Sequence, residues 1–492
     1  MQSLPEPVRG DCLDPGALRG GEIPAAIKAV HRGLSRTSAE FLEFVEQNPE
    51  CLRRSSFGGL EHRDQFIKYP IQSWPTFVGP AAVAQMQGAA TGVLRLLKSI
   101  PERIFGNDPA RLGRYYGLPR DEAAVLVELG KNVEATQGML ARGDFVRTAA
   151  GWQALELNVS ANIGGWQTPL WAALYRSVPL LERFCSGLGE RIRYRDTVRL
   201  LLEHLVCEAQ AGGVYDGKLN VAFAVPGRNR SGREVEAFAE RELQGVLREK
   251  TGADHGRLAF CGYEHLRAES GRLYIGDERI HVLLDHYDEI NPEVDRQVFS
   301  CLMNGTLKLY NGPLGRILGD KRNFALLSRA AASPAFTPEE QAILRAHVPW
   351  TREVKRGYTD YAGQPVRMDA LLAARRRDLV LKHARSSQGA AVYLGRGLSV
   401  AAWDEAVSEA FAQDGMFIVQ EHLESEPFAY QNGAEGWCPH DVIWGLFVFG
   451  ETYGGAFLRM MPRGAGRAIN SAQGASVGAV FEVDEVAGEG QV

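Results

Sequence analysis

The chain has 492 residues, too many for one hydrophobic core, and length alone predicts roughly two to four domains. Hydrophobic residues make up 45% and charged residues 23%, an ordinary balance for a globular protein. A net charge of -5 gives bulk electrostatics no attraction for nucleic acid or an anionic membrane. No apolar run approaches the ~20 residues needed to span a bilayer.

The N-terminus, MQSLPEPVRGDCLDPG, is polar and Pro-rich and lacks the basic-then-apolar pattern of a secretory signal. A cytoplasmic location is expected. The cysteines, Cys12, Cys51, Cys185, Cys207, Cys261, Cys301 and Cys438, are scattered, odd in number and form no CxxC. That argues against a disulfide framework or a zinc cluster and for buried free thiols. Lysine is scarce beside arginine, so a lysine kept in a strand or next to a turn stands out.

In chain order, residues 22–50, 79–105 and 121–132 carry apolar residues at helical spacing, so the first ~130 residues read as mainly α-helical. Residues 142–160 switch to strand, turn, strand. Helical patterns follow in GWQTPLWAALYRSVPLLERFC and YRDTVRLLLEHLVCEAQ. From about 180 to 315, short apolar strands (KLNVAFAVP, RLAFCGYEHL) alternate with helices, the pattern of an α/β unit. GRLYIGDERIHVLLDH reads as a hairpin. Beyond Lys321 the chain is helical through RNFALLSRAA and PEEQAILRAHV. It then reads strand, polar loop, strand in DLVLKHARSSQGAAVYLG, helix in VAAWDEAVSEAFAQ, and strand in MFIVQEHL. DVIWGLFVFGETYGGAFLRMMP is a long β-hairpin.

Several segments carry chemistry. Lys382 ends an apolar strand, and the turn after it is small, polar and glycine-containing. Such a loop leaves backbone N–H groups free for phosphate oxygens, although the Walker pattern is absent. A surface hairpin with a snorkelling lysine would read the same. In MFIVQEHLES an apolar strand runs into Gln420, Glu421 and Glu424, which suits an adenine slot with a ribose acceptor beside it, or an ordinary strand end with solvated acids. Lys321 stands at a loop-to-helix junction. Arg459, on an apolar strand, needs an anionic partner, either a carboxylate of the fold or a phosphate.

The most informative stretch is RGDFVRTAAGWQALELNVSANIGG, residues 142–165. Glu156 and Asn158 are two residues apart and share one strand face. A short turn brings Asp144 opposite them. Three hard oxygen donors on one face suit Mg²⁺, and Arg142, two residues before Asp144, can reach a phosphoryl group. The alternative is a polar sheet face with cross-strand ion pairs.

Taken together, these segments resemble the ATP-grasp superfamily. The acid-acid-amide stretch precedes the lysines, as in the circularly permuted members typified by the synthetase domain of glutathionylspermidine synthase. There R-x-D is followed after eleven residues by E-x-N; RGD-FVRTAAGWQAL-ELN has the same spacing. The resemblance covers about 142–165 and 315–475. It implies a circularly permuted α/β (α+β) ATP-grasp fold using ATP and Mg²⁺, with Asp144, Glu156 and Asn158 as metal ligands. Arg142, Lys382 and Arg459 would be catalytic. Lys321, Lys382, Ser386, Ser387, Gln388, Gly389, Gln420, Glu421, Leu423, Glu424 and Arg459 would bind the nucleotide, with the 386–389 loop as a lid.

The implied division is a helical N-terminal region (1–135), the metal-binding part of the core (136–178), an α/β domain (179–318), a nucleotide-binding subdomain (319–425) and a C-terminal return to the core (426–492). The implied activity is ATP-dependent carboxylate–amine ligation. Its substrates would be a small-molecule or peptide carboxylate and an amine, with no nucleic-acid or membrane partner. A non-catalytic nucleotide-binding relative and a phosphotransferase are the alternatives. The chain departs from that synthetase in VSANIGGWQTP, which follows E-x-N and is expected to shape the substrate site.

Overall fold

The computed structural model describes residues 22–48, 69–131, 138–161, 163–165, 167–188, 191–225, 233–285, 292–386, 391–432 and 436–484. Three sheets organise a mixed α/β architecture. The largest is eight-stranded and built on two antiparallel hairpins side by side, Leu140–Thr148 with Gly151–Val159 and Trp437–Phe449 with Thr452–Pro462. Its order runs Thr76–Val78, Ser476–Val483, Thr452–Pro462, Trp437–Phe449, Leu140–Thr148, Gly151–Val159. Phe428–Gln431 and Ile192–Tyr194 add short strands beside it.

Most of the described N-terminal segments are helical, but three residues of them, Thr76–Val78, join this sheet parallel to its last strand. The run is too short, between Pro75 and Gly79, to show a period. The helix Pro80–Lys98 then covers the sheet. It starts on a proline, whose fixed φ suits the first helical position. Ala82, Met86, Ala89, Val93 and Leu97 recur at helical spacing and are buried.

The second sheet is antiparallel: Thr351–Glu353, Phe417–Glu421, Leu379–His383, Val392–Leu394. Alternation sorts its residues. Leu379, Leu381, Phe417 and Val419 enter a core with Leu371, Leu372 and Trp403 that is separate from the main one. Val380, Lys382 and Gln420 fall on the opposite face.

The third sheet is all parallel: Lys308–Tyr310, Val282–Asp285, Leu219–Ala224, Gly256–Cys261. Here the expected hairpin of GRLYIGDERIHVLLDH divides. Arg272–Ile275 and Glu278–Ile280 do pair across a turn, but Val282–Asp285 leaves to become an interior strand of the parallel sheet. Its unbroken VLL run, buried throughout, fits a strand covered on both faces.

Among the described residues no helix is long and apolar enough to cross a membrane. The described cysteines form no disulfide with one another. Cys261, Cys301 and Cys438 are buried as expected, whereas Cys207 is exposed.

Candidate functional site

A cavity of about 1170 Å³ lies between the open faces of the first two sheets and reaches the end of the third. It gathers Asp144, Glu156, Asn158, Lys321, Lys382, Ser386, Gln420, Glu421, Leu423, Glu424 and Arg459, from segments up to about 300 residues apart. Ser387, Gln388 and Gly389 lie outside the described residues.

The 142–160 hairpin supplies the floor. Asp144 is the register partner of Glu156, and Arg142 of Asn158, so all four side chains share one face. The register slips between Asp144 and Phe145, which puts Leu155 in a β-bulge. A bulged residue is left out of the ladder. The freed Leu155 carbonyl accepts a hydrogen bond from Lys382 Nζ at 3.1 Å, tying the second sheet to the hairpin.

Asp144 is the electrostatic hub. It is 3% exposed. Its Oδ1 meets Arg142 Nε at 3.0 Å and Arg459 Nη2 at 2.6 Å, and its Oδ2 accepts from Asn158 Nδ2 at 3.3 Å. Burial pushes its carboxyl up, but Arg142 and Arg459 outweigh burial and hold it well below the usual carboxylate range. Arg459 must cross a whole strand to reach it: Asp144 pairs with Gly445, and Arg459 with Ile443 on that same strand. Gly445, between them, leaves room for the Phe457 ring and the Arg142 stem. A Cβ there would sit 2.5 Å from Phe457 Cε1 and 3.1 Å from Arg142 Cδ.

Arg142 lies behind Asp144 rather than reaching into the space where a phosphoryl group was expected. Its guanidinium is held by Asp144, by the Ile163 carbonyl and over the Phe457 ring. Ile163 and Gly164 therefore lie against Arg142, while Ser160 a few residues earlier lines the cavity.

Two lysines close the floor from above. Lys321, beside the helix Arg322–Ala330, has Nζ 3.6 Å from Glu156 Oε2 and donates to the Ser386 carbonyl. Lys382 Nζ donates to Gln420 Oε1 at 2.7 Å, and burial pushes its ammonium down to about 8. The Gln420 side chain is thereby turned towards Lys382, and its amide donates to Thr351 Oγ1. Glu424 pairs with Arg396 at 2.9 Å. Burial raises the Glu421 carboxyl above its ordinary range.

Beside these polar groups is an apolar slot that the sequence did not reveal. Val380, Val392 and Leu394 face it from the second sheet, and Ile443 and Met461 from the long hairpin. None has a chemical signature. Only the pairing of the strands places them on the cavity face.

Asp144, Glu156 and Asn158 offer oxygen donors on one face, and the Asn158 amide can turn its Oδ1 outward. Arg459 is 8% exposed and its Nε has no hydrogen-bond partner among the described residues, leaving a buried cationic donor for an anion. The residues fit magnesium and phosphate.

No family model matches the chain, and no curated protein matches it. Among solved structures it is similar to a glutathione synthetase-like effector from Globodera pallida in its apo form. The TM-score is 0.50 and 13% of residues are identical, over 84% of this chain and 90% of that one. At that identity the likeness is one of fold, and it is compatible with an ATP-grasp-type architecture.

Proposed function

We propose that the protein is an ATP-dependent carboxylate–amine ligase of the circularly permuted ATP-grasp type. One observation carries the reading: acid, acid and amide on one hairpin face meet two lysines, a partly unsatisfied arginine and an apolar slot in a single cavity. The order along the chain supports permutation, because the hairpin at 140–159 precedes the nucleotide-side sheet at 351–421.

In this reading the base enters the slot between Val380 and Ile443, near Leu423, with the ribose near Glu424. Lys321, Lys382 and Arg459 take the phosphates. Asp144, Glu156 and Asn158 hold magnesium, which supplies charge neutralisation at the transferring phosphoryl group. Arg142 acts through Asp144 as a positioning residue. Gln420 fixes Lys382. A substrate carboxylate oxygen attacks the γ-phosphorus of ATP and ADP leaves; the amine then displaces phosphate from the acyl carbon. The residues contribute position and fixed charge, the main resources for phosphoryl transfer. The lid expected at 386–389 falls, beyond Ser386, outside the described residues.

The test is ADP release with panels of acids, with hydroxylamine as trap. A hydroxamate is expected, since it reports an activated acyl group. A stable phosphorylated product without hydroxamate would make the protein a phosphotransferase. Nucleotide binding with no ADP formed from any acid would make it a non-catalytic relative. Glu156→Gln should lower turnover by at least about 100-fold, the upper end for loss of a metal-orienting group, while the far-UV circular dichroism stays unchanged. Full activity in that variant would remove Glu156 from the metal site.

A further inference from the structure

The turn at Asn311 is strained in a way its neighbours are not. Asn311 follows the parallel strand Lys308–Tyr310 and has φ 64° and ψ -66°. A γ-turn with positive φ is rare and costly for a residue with a side chain. Such conformations persist only where the surroundings over-determine them. Asn311 is 5% exposed and lines the cavity, on the side of the third sheet.

Its side chain makes a two-point clamp. Nδ2 donates to the Leu140 carbonyl at 2.7 Å, and Oδ1 accepts from the Leu140 amide at 3.1 Å. Leu140 opens the first strand of the metal-side hairpin. The second strand ends at Val159, which pairs with Ala141, so Leu140 has no partner there and Asn311 takes the place of the missing one.

The helix that follows, Gly312–Leu318, holds the other strand. A Cβ on Gly315 would lie 3.0 Å from the Val159 carbonyl oxygen and 3.3 Å from Asn311 Cβ. Only a glycine lets the helix seat so close. One turn of the third sheet thus grips both strands at the open end of the hairpin. One step further in along these strands lies the Arg142–Asn158 register pair, and beyond Gly143–Leu157 comes Asp144–Glu156 on the same face.

We propose that Asn311 is a positioning residue: its clamp on Leu140, with the Gly315 contact on Val159, sets the spacing of the hairpin face that presents Asp144, Glu156 and Asn158. The inference rests on the metal-binding role given to that face above. It makes the third sheet part of the catalytic frame, although it contributes no metal ligand.

The experiment uses the full chain and measures ADP affinity by calorimetry with and without Mg²⁺, for the wild type, Asn311→Ala and Asn311→Gly. Glycine adopts φ 64° without strain, so Asn311→Gly removes the clamp while keeping the turn. Both variants are expected to keep metal-free ADP affinity within about twofold and to lose about tenfold of the Mg²⁺-dependent gain, the low end for groups that orient metal ligands. A wild-type gain in Asn311→Gly would overturn the proposal and leave Asn311 as a turn-former. An equal loss with and without Mg²⁺ would also overturn it, because the effect would then be general loosening. If the wild type itself shows no Mg²⁺-dependent gain, the metal assignment of the hairpin fails first and this inference falls with it.

Discussion

Asp144→Asn is expected to abolish turnover and to destabilise the protein more than any other single change in the cavity. The two effects share one cause. The carboxylate compensates Arg142 and Arg459 at once, at 3.0 and 2.6 Å, in a site that is 3% exposed. An amide of the same shape leaves two guanidinium groups without their counter-charge. Removing one partner of a buried ion pair costs about 3–5 kcal/mol, because the other charge stays buried and unpaired. The urea midpoint should fall accordingly.

Adding Arg459→Met should recover part of that loss, since a thioether needs no counter-ion, yet it should restore no activity. A double variant as unstable as Asp144→Asn alone would show that Arg459 does not depend on Asp144. The pH response has a defined sign. A carboxylate whose native pKa is depressed stabilises the fold at all pH values above its unfolded value, and the contribution is lost as pH falls through the native one. Asp144 should therefore keep its stabilising role through mildly acidic conditions.

The second large effect is on nucleotide affinity above neutral pH. Burial lowers the Lys382 ammonium from 10.5 to about 8. A polyphosphate beside it would favour the charged form and raise the value again. Between those limits nucleotide binding takes up a proton, so ATP affinity should fall by about tenfold per pH unit as pH rises above 8. The stability of the ligand-free protein responds in the opposite direction. Its unfolded chain holds the lysine proton more tightly across this window, so this group makes the fold more stable as pH rises. Opposite slopes for affinity and stability identify one buried lysine as the source. Lys382→Arg should flatten both, because arginine stays protonated. Proton uptake read from calorimetry in buffers of different ionisation enthalpy checks the sign, and a flat affinity profile from pH 8 to 10 would remove Lys382 from the phosphates.

Much of this cavity was legible in the chain, for physical reasons. Strand alternation alone puts Glu156 and Asn158 on one face, but the two-residue turn by itself would set Asp144 opposite Leu155, and it is the bulge there that brings Asp144 to Glu156. Lys321 and Lys382 stood out because lysine is scarce and both sit at element ends. What stayed hidden depends on pairing between distant strands. Nothing in ALELN marks Leu155 as a bulge, because the register slip is defined only against the partner strand. Val380, Ile443 and Met461 have no chemical signature, and only the facing of two sheets makes a slot of them. Asn311 carries no signal in the chain, because its partner is Leu140, 171 residues away. Arg142 was legible as part of the site but not in its orientation, since the Ile163 carbonyl and Phe457 that hold it lie in other segments.

The self-pairing of the cavity has a consequence for ionic strength. Arg459 with Asp144 and Lys321 with Glu156 already form ion pairs across the floor. A magnesium–polyphosphate ligand would swap these partners: the cations would move to phosphate and the carboxylates to metal. Such an exchange leaves the number of close ion pairs nearly constant, so salt weakens both sides of the equilibrium together. Affinity for the complete metal–nucleotide pair should then vary little between low and moderate salt. Either component offered alone would have to break pairs without replacing them all, and its binding should be the salt-sensitive one.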